Sequence, residues 1–331
     1  METALIDLYD TLLLDLDGVV YLGREAVKGA PEALTRAHET GVRLAYVTNN
    51  ASRTPAAIAE HLVSIGVPAT PDDVVTSAQA AARMIAERVP AGSAVLVVGG
   101  MGLRWAVRAQ GLRPVTTAAD APVAVVQGIS PDLSYGLLCQ GALAVRQGAW
   151  FVAANGDTTM PTNNGVLPGN GAMTRVIATA TGVEPVSAGK PEPPLHRESM
   201  LRTGAERPLI VGDRLDTDVE AATRAGVDSL LVLSGVTGPV DLLTAPPEHR
   251  PTHIAADVSA VHRPPAPVGR EGEEWTRDGW VARWEGGRLH LKGGGDPVDG
   301  LRVACAASWA HAGEGRTGED ALEQALAALE P

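Results

Sequence analysis

Short, wholly apolar runs alternate with stretches of helical periodicity along most of this chain. Thr11–Leu14, Leu44–Val47, Val95–Val98, Leu209–Val211 and Leu230–Leu233 are too short for helices. They are also too uniformly apolar for strands with one wet face, so they read as strands buried on both sides. Between them lie helical stretches such as Pro31–Thr40, closed by Gly41, and Val219–Ala225, closed by Gly226. A glycine just past the last periodic residue is a usual helix stop. The alternation predicts an α/β fold with a Rossmann-like parallel sheet and helices on both faces. Such sheets bind ligands beyond the carboxyl ends of their strands, so the polar residues that follow each run are the candidates for chemistry.

The pattern also suggests segments. Residues 1–78 and 186–260 carry the runs that end in acids, hydroxyls or a lysine, and form the expected core. Residues 79–185 separate the second such run from a weaker one, Pro185–Ser187, and read as an inserted α/β domain. After the Pro-rich link His262–Pro267, residues 261–331 hold four of the six tryptophans. Trp280–Glu285 and Arg288–Lys292, joined by Gly286-Gly287, predict a hairpin, and Asp296–Ala310 and Glu319–Leu329 predict helices. This is a small α+β extension whose tryptophans are expected mainly to pack.

Composition narrows the field. The 331 residues carry 27 basic against 39 acidic side chains, a charge of −12, which argues against nucleic acid as a partner. The insert differs, with seven arginines against five acids. No apolar run approaches the length of a membrane span, and Met1–Gly18 has acids where a signal peptide needs a basic start, so a cytoplasmic location is expected. Two cysteines, Cys139 and Cys305, make neither a disulfide framework nor a zinc cluster. The run Val98-Gly99-Gly100-Met101-Gly102 fails as a dinucleotide loop, because Trp105 stands at the third glycine position. Only Lys28, Lys190 and Lys292 are lysines, so each invites the question why arginine would not serve.

Asp15 and Asp17 follow the first run two residues apart, so both carboxylates project to one side. Two acids so placed repel unless one takes a proton or a cation joins them. With oxygen donors and no histidine or cysteine nearby, Mg2+ fits better than a transition metal. Asp213, after the fourth run, could add a third oxygen. Thr48 offers a hydroxyl and Asn49 and Asn50 offer amides, all suited to phosphate oxygens; Lys190, in Gly189-Lys190-Pro191, offers a compact positive charge. Taken singly, each residue has a plainer reading: a turn aspartate, a capping threonine, a surface lysine.

Taken in order, Asp15-Leu16-Asp17-Gly18-Val19-Val20-Tyr21, Thr48-Asn49-Asn50, Gly189-Lys190-Pro191 and Gly212-Asp213-Arg214-Leu215-Asp216-Thr217-Asp218 resemble the haloacid dehalogenase superfamily. The likeness is to its large-cap phosphatases, class IIA, which include nitrophenyl phosphatase-like enzymes and the phosphoglycolate, pyridoxal-phosphate and glycerol-3-phosphate phosphatases. It covers residues 1 to about 260. The resemblance implies that Asp15 is the nucleophile, forming an aspartyl phosphate, and Asp17 the general acid and base. It implies Mg2+ held by Asp15, the backbone carbonyl of Asp17 and Asp213, with Thr48, Asn49, Asn50 and Lys190 on the phosphate. Asp216 and Asp218 would orient Lys190 or water on the metal.

By the same resemblance the insert is a cap. Ala154–Pro161 matches the loop that selects substrates, through Asn155, Gly156, Asp157 and Met160. Gly156 replaces a bulkier, often basic residue, and Met160 stands where some relatives carry histidine, which disfavours a flat aromatic substrate. The expected substrate is glycerol 3-phosphate, ahead of 2-phosphoglycolate and of sugar or nucleotide phosphates. A homodimer through the cap or the extension is the partner expectation. A non-catalytic phosphate sensor would need no nucleophile at position 15. A mutase with a small cap after the first motif would need more than the 30 residues between Asp17 and Thr48.

Overall fold

The apolar runs form strands where their patterning puts them, because each is covered on both faces. In the computed structural model, which describes residues 3–162, 165–311 and 319–329, the chain divides into two compact units. Residues 1–22, 26–42 and 207–331 make one; residues 23–25 and 43–206 make the other.

In the first unit four parallel strands lie in the order His253–Ala255, Asp228–Val232, Pro208–Gly212, Thr11–Leu14. Leu12, Leu14, Leu209, Val211 and Leu231 are fully buried, which is why the runs carry no polar alternation. Helix Ala30–Glu39 begins with Pro31 in its first turn and ends before Gly41, whose φ of 84° suits only glycine. The expected helix Val219–Ala225 is preceded by a wider π-helical turn over Leu215–Val219, with regular helix only from Glu220 to Ala225. The carboxylate of Asp218 bonds the Arg214 amide at 3.2 Å, so the turn is shaped around a side chain.

The expected hairpin Trp280–Glu285 with Arg288–Lys292 is present, and two more antiparallel strands, Gly269–Glu271 and Glu274–Arg277, extend it. Helix Pro297–His311 packs on this sheet, while the last predicted helix is regular only over Glu323–Leu329. Trp280, Leu289, Leu291 and Leu301 form one continuous apolar cluster with Leu231, Leu242, Leu243 and Ile254. The indole N–H groups of Trp284 and Trp309 donate to the carbonyls of Ala307 and Leu242 at 3.1 and 2.8 Å. Residues 261–331 therefore share a core with the sheet that precedes them.

In the second unit strand Arg43–Thr48 pairs in parallel with Val74–Thr76. A second, five-stranded parallel sheet has the order Val186–Ser187, Trp150–Ala153, Ala124–Gln127, Ala94–Val98, Arg113–Val115. The glycine run after Val98 has a packing reason. Helix Met101–Ala109 starts against the backbone of Ala51 and Arg53, where a side chain at Gly102 would overlap it, and the Gly102 amide donates to the Ser52 carbonyl at 3.0 Å. The residues read as an insert thus fold in one unit with Thr48–Asn50 and Lys190, so the units and the segments read from sequence divide the chain differently.

Leu301→Ala tests the shared core. Removing a side chain that is 3% exposed in that cluster should cost about 2–5 kcal/mol. Urea unfolding of the full chain, followed by the tryptophans, reads the loss; a loss under 0.5 kcal/mol would show the extension standing apart.

Candidate active site

Strand ends decide where the acids fall. Asp15 continues the strand Thr11–Leu14, and its amide donates to the Val211 carbonyl at 2.8 Å. Asp213 follows Gly212 at the end of the neighbouring strand, and Asp218 closes the wide turn beyond it. Carboxylate oxygens of Asp15, Asp213 and Asp218 lie within 4.8 Å of one another. Like charges this close repel, and a proton or a cation relieves that repulsion. The donors are hard oxygens with no histidine or cysteine among them, the set suited to Mg2+ or Ca2+.

The backbone around Asp213 is built to leave its carboxylate room. A side chain at Gly18 or Gly235 would overlap it, and Gly212 is crowded in the same way by Asp218. Gly18 has φ 88°, so it also serves the turn that follows Asp17. The Val236 amide donates to Oδ2 of Asp213 at 2.7 Å, and the Thr237 hydroxyl to its carbonyl at 2.6 Å. Ser234 donates to the Gly18 carbonyl at 2.6 Å. Asp17 is exposed, at the start of this turn. Asp216 goes elsewhere: burial raises its pKa, but hydrogen bonds from Arg214 at 3.0 and 2.8 Å outweigh that and leave it lowered. Its carboxylate belongs to an Arg214 pair rather than to the cluster.

In the second unit Asn49 is the hub. Its Oδ1 accepts from the Lys190 amide at 2.8 Å. Its Nδ2 donates to the Lys190 carbonyl at 3.2 Å and to both Asp157 oxygens at 3.1 and 3.2 Å. A side chain at Gly189 would overlap Asn49 and the Ala154 carbonyl, which explains the glycine before the lysine. Lys190 is 4% exposed, and its Nζ donates to the Val47 carbonyl at 3.3 Å. Thr48 is buried and its Oγ1 accepts from the Asn50 amide at 3.1 Å. Asn50 holds a turn, its Oδ1 accepting from the Ser52 amide and hydroxyl at 2.9 and 3.0 Å. The loop after strand Trp150–Ala153 joins this group: Asn155 donates to the Asn49 carbonyl at 2.7 Å. Gly156 is exposed with open space around it, and Met160 lies on a surface hairpin at 38% exposure.

The structure thus brings together Asp15, Asp213 and Asp218 in one unit, and Asn49, Asp157, Asn155 and Lys190 in the other. Sequence reading missed Ser234–Thr237, although Ser-Gly-Val-Thr after an apolar run was a visible signal. It also missed His196, fully buried on helix Pro193–Thr203. Burial, and then the charge of Lys190, lower the pKa of His196 to about 3, so its imidazole stays neutral beside the lysine.

Comparisons with known proteins agree with these motifs. Family models described as haloacid dehalogenase-like hydrolase match residues 12–113 and 187–261. Residues 277–330 match a model described as GCN5-related N-acetyltransferase-like. D-glycerol 3-phosphate phosphatase of Mycobacterium tuberculosis is 48% identical over 77% of this chain and 71% of its own length. A 5′-nucleotidase of Bacillus subtilis is 42% identical over 69% and 89%. A solved structure of glycerol phosphate phosphatase from M. tuberculosis in complex with magnesium superposes with TM-score 0.86 at 41% identity, covering 94% of this chain and 93% of that one.

Two outcomes follow from the geometry. Gly235→Ala should push the Asp213 carboxylate aside and weaken divalent-cation binding by at least about tenfold, read by calorimetry, where unchanged affinity would dismiss the crowding argument. His196 is protonated below about pH 6.5 in the unfolded chain but only near pH 3 when folded. The folded state therefore loses stability as pH falls from 6.5 toward 3, by up to about 1.4 kcal/mol per pH unit. His196→Phe should flatten that slope in urea melts between pH 6.5 and 4.

Proposed function

The chain belongs to the haloacid dehalogenase-like hydrolase family, and from that premise we propose that it is a Mg2+-dependent phosphatase of small phosphomonoesters, with glycerol 3-phosphate first among them. The observation that carries this reading is the gathering of the Asp15, Asp213 and Asp218 carboxylates within 4.8 Å at adjoining strand ends. Identity of 48% to a glycerol 3-phosphate phosphatase supports the substrate choice.

In this reading Asp15 attacks phosphorus in line and becomes an aspartyl phosphate. Asp17, exposed two residues on, protonates the departing alkoxide and then takes a proton from the hydrolytic water. Asp15, the Asp17 carbonyl and Asp213 would hold Mg2+, with Asp218 beside them; bound there, the ion offsets the repulsion between carboxylate and phosphoryl group. Thr48 and Lys190 hold the transferring oxygens as charge develops. Asn49, whose amide is engaged with Lys190 and Asp157, keeps the lysine in place, and Asn50 shapes the turn beside Thr48. Asp216 stays with Arg214.

Residues 79–185 act as the cap, and the loop at Asn155, Gly156 and Asp157 is the candidate for choosing the leaving group, with Met160 beyond it. Sugar phosphates, nucleotides and 2-phosphoglycolate are the alternative substrates, and Gly156, exposed with open space around it, presents no side chain of its own to the leaving group. Two free cysteines suit the cytoplasm, and the acidic charge disfavours nucleic acid as a partner. If the protein forms a homodimer, the cap is the favoured route: Tyr135, Leu143 and Val176 are exposed there, while no large apolar side chain of the described extension is.

The test is phosphate release across these esters at fixed Mg2+, with and without chelator. Turnover should require the ion and be fastest with glycerol 3-phosphate. Asp15→Asn should lower it at least about a thousandfold, and Lys190→Arg about a hundredfold despite conserved charge. Near-normal release by the Asp15→Asn protein would sink the assignment.

A further inference from the structure

Three asparagines of the second unit are joined in series. Asn170, the first residue of helix Asn170–Thr181, donates its Nδ2 to the Asn155 carbonyl at 2.8 Å. Asn155 donates its Nδ2 to the Asn49 carbonyl at 2.7 Å. Asn49 grips Lys190 from both sides, accepting from its amide at 2.8 Å and donating to its carbonyl at 3.2 Å. Asn170 and Asn155 are 1% and 3% exposed, and Lys190 is 4% exposed. Buried amides hold such geometry because each broken bond leaves a buried polar group without a partner.

Asn170 has no local task. The helix N-cap is Gly169, and the Asn170 side chain bonds no amide of its own helix. Its Oδ1, and both polar side-chain atoms of Gln127 nearby, meet no protein partner among the described residues. A leucine, which branches in the same way but has no polar atoms, would avoid that cost. What the buried amide supplies is a bond to the Asn155 carbonyl, shorter at 2.8 Å than its other one, 3.4 Å to the Gln127 carbonyl, and that bond fixes the loop that touches the lysine's holder. The same loop is pinned behind by the Gly171 amide on the Asp157 carbonyl at 2.7 Å and the Gly169 amide on the Thr158 carbonyl at 2.9 Å.

We propose that Asn170 is a positioning residue for the phosphate clamp, acting through Asn155 and Asn49 to fix the backbone of Lys190. The inference rests on the phosphatase reading for its effect on turnover, but the relay itself is structural. A relay that sets a charge meant for the transition state acts on kcat more than on KM, and does so whichever alcohol leaves. A residue that merely shapes the cap loop would change the ranking of substrates instead.

The experiment compares the parent with Asn170→Leu, Asn155→Ala and the double variant, with Asn170→Ala as the milder second choice should the leucine variant not fold. Hydrogen exchange of residues 188–192 is read alongside kinetics on glycerol 3-phosphate and p-nitrophenyl phosphate. Exchange at the Lys190 amide should rise about tenfold in each single variant, with the two strands of the Arg43–Thr48 pair unchanged. kcat should fall about tenfold on both esters with KM within about twofold, and the double variant should be no worse than Asn155→Ala alone. Unchanged exchange at Lys190, or losses that multiply in the double variant, would overturn the relay. A parent that releases no phosphate would overturn the phosphatase reading instead, while exchange still decides the relay.

Discussion

Mutual repulsion of carboxylates is the constraint around which the first unit is arranged. With carboxylate oxygens of Asp15, Asp213 and Asp218 within 4.8 Å of one another, each ionised pair costs at least about 3 kcal/mol at an effective dielectric near 20. The surroundings hold the acids in place: Val236 donates to Asp213, Arg214 to Asp218, and glycines at 18, 212 and 235 leave room where any side chain would push a carboxylate away. The cluster, the adjoining strand ends that carry it and the close turns around it form one device for concentrating negative charge. In the proposed reaction a bound cation would relieve the repulsion and leave Asp15 able to act as the nucleophile.

The second unit solves the opposite problem, holding one positive charge in a buried place. Lys190 is fixed at its backbone by Asn49, and its ammonium reaches the Val47 carbonyl. His196 behind it is kept neutral by burial and by the lysine, so no second cation forms there in the neutral pH range. A guanidinium is broader and flat, whereas an ammonium is a compact charge, which gives a reason for one of the three lysines in an arginine-rich chain.

Much of this was legible in the sequence, for identifiable reasons. Strands such as Thr11–Leu14 and Pro208–Gly212 announce themselves because parallel strands are apolar throughout. Asp15, Asp17, Asp213 and Lys190 stand out because each follows such a run and shares a short motif with its neighbours. What stayed hidden depends on contacts through space. Asn170 looks like any helix-start asparagine, and the need for glycine at 235 appears only when Asp213 lies against it. Asp216 and Asp218 are alike on paper; the wide turn sends one to Arg214 and the other to the cluster. Strands Gly269–Glu271 and Glu274–Arg277 escaped notice because neither alternates between the faces: the first is exposed and the second half-buried along its whole length.

We propose that Asp15 becomes a nucleophile when a cation relieves the cluster. Acid quenching during turnover of glycerol 3-phosphate, followed by mass spectrometry of the peptide containing Asp15, tests it most directly. A phosphoryl group is expected on Asp15 in the presence of Mg2+ and none when a chelator is added. Turnover without that modification, or a phosphoryl group on another residue, would contradict it.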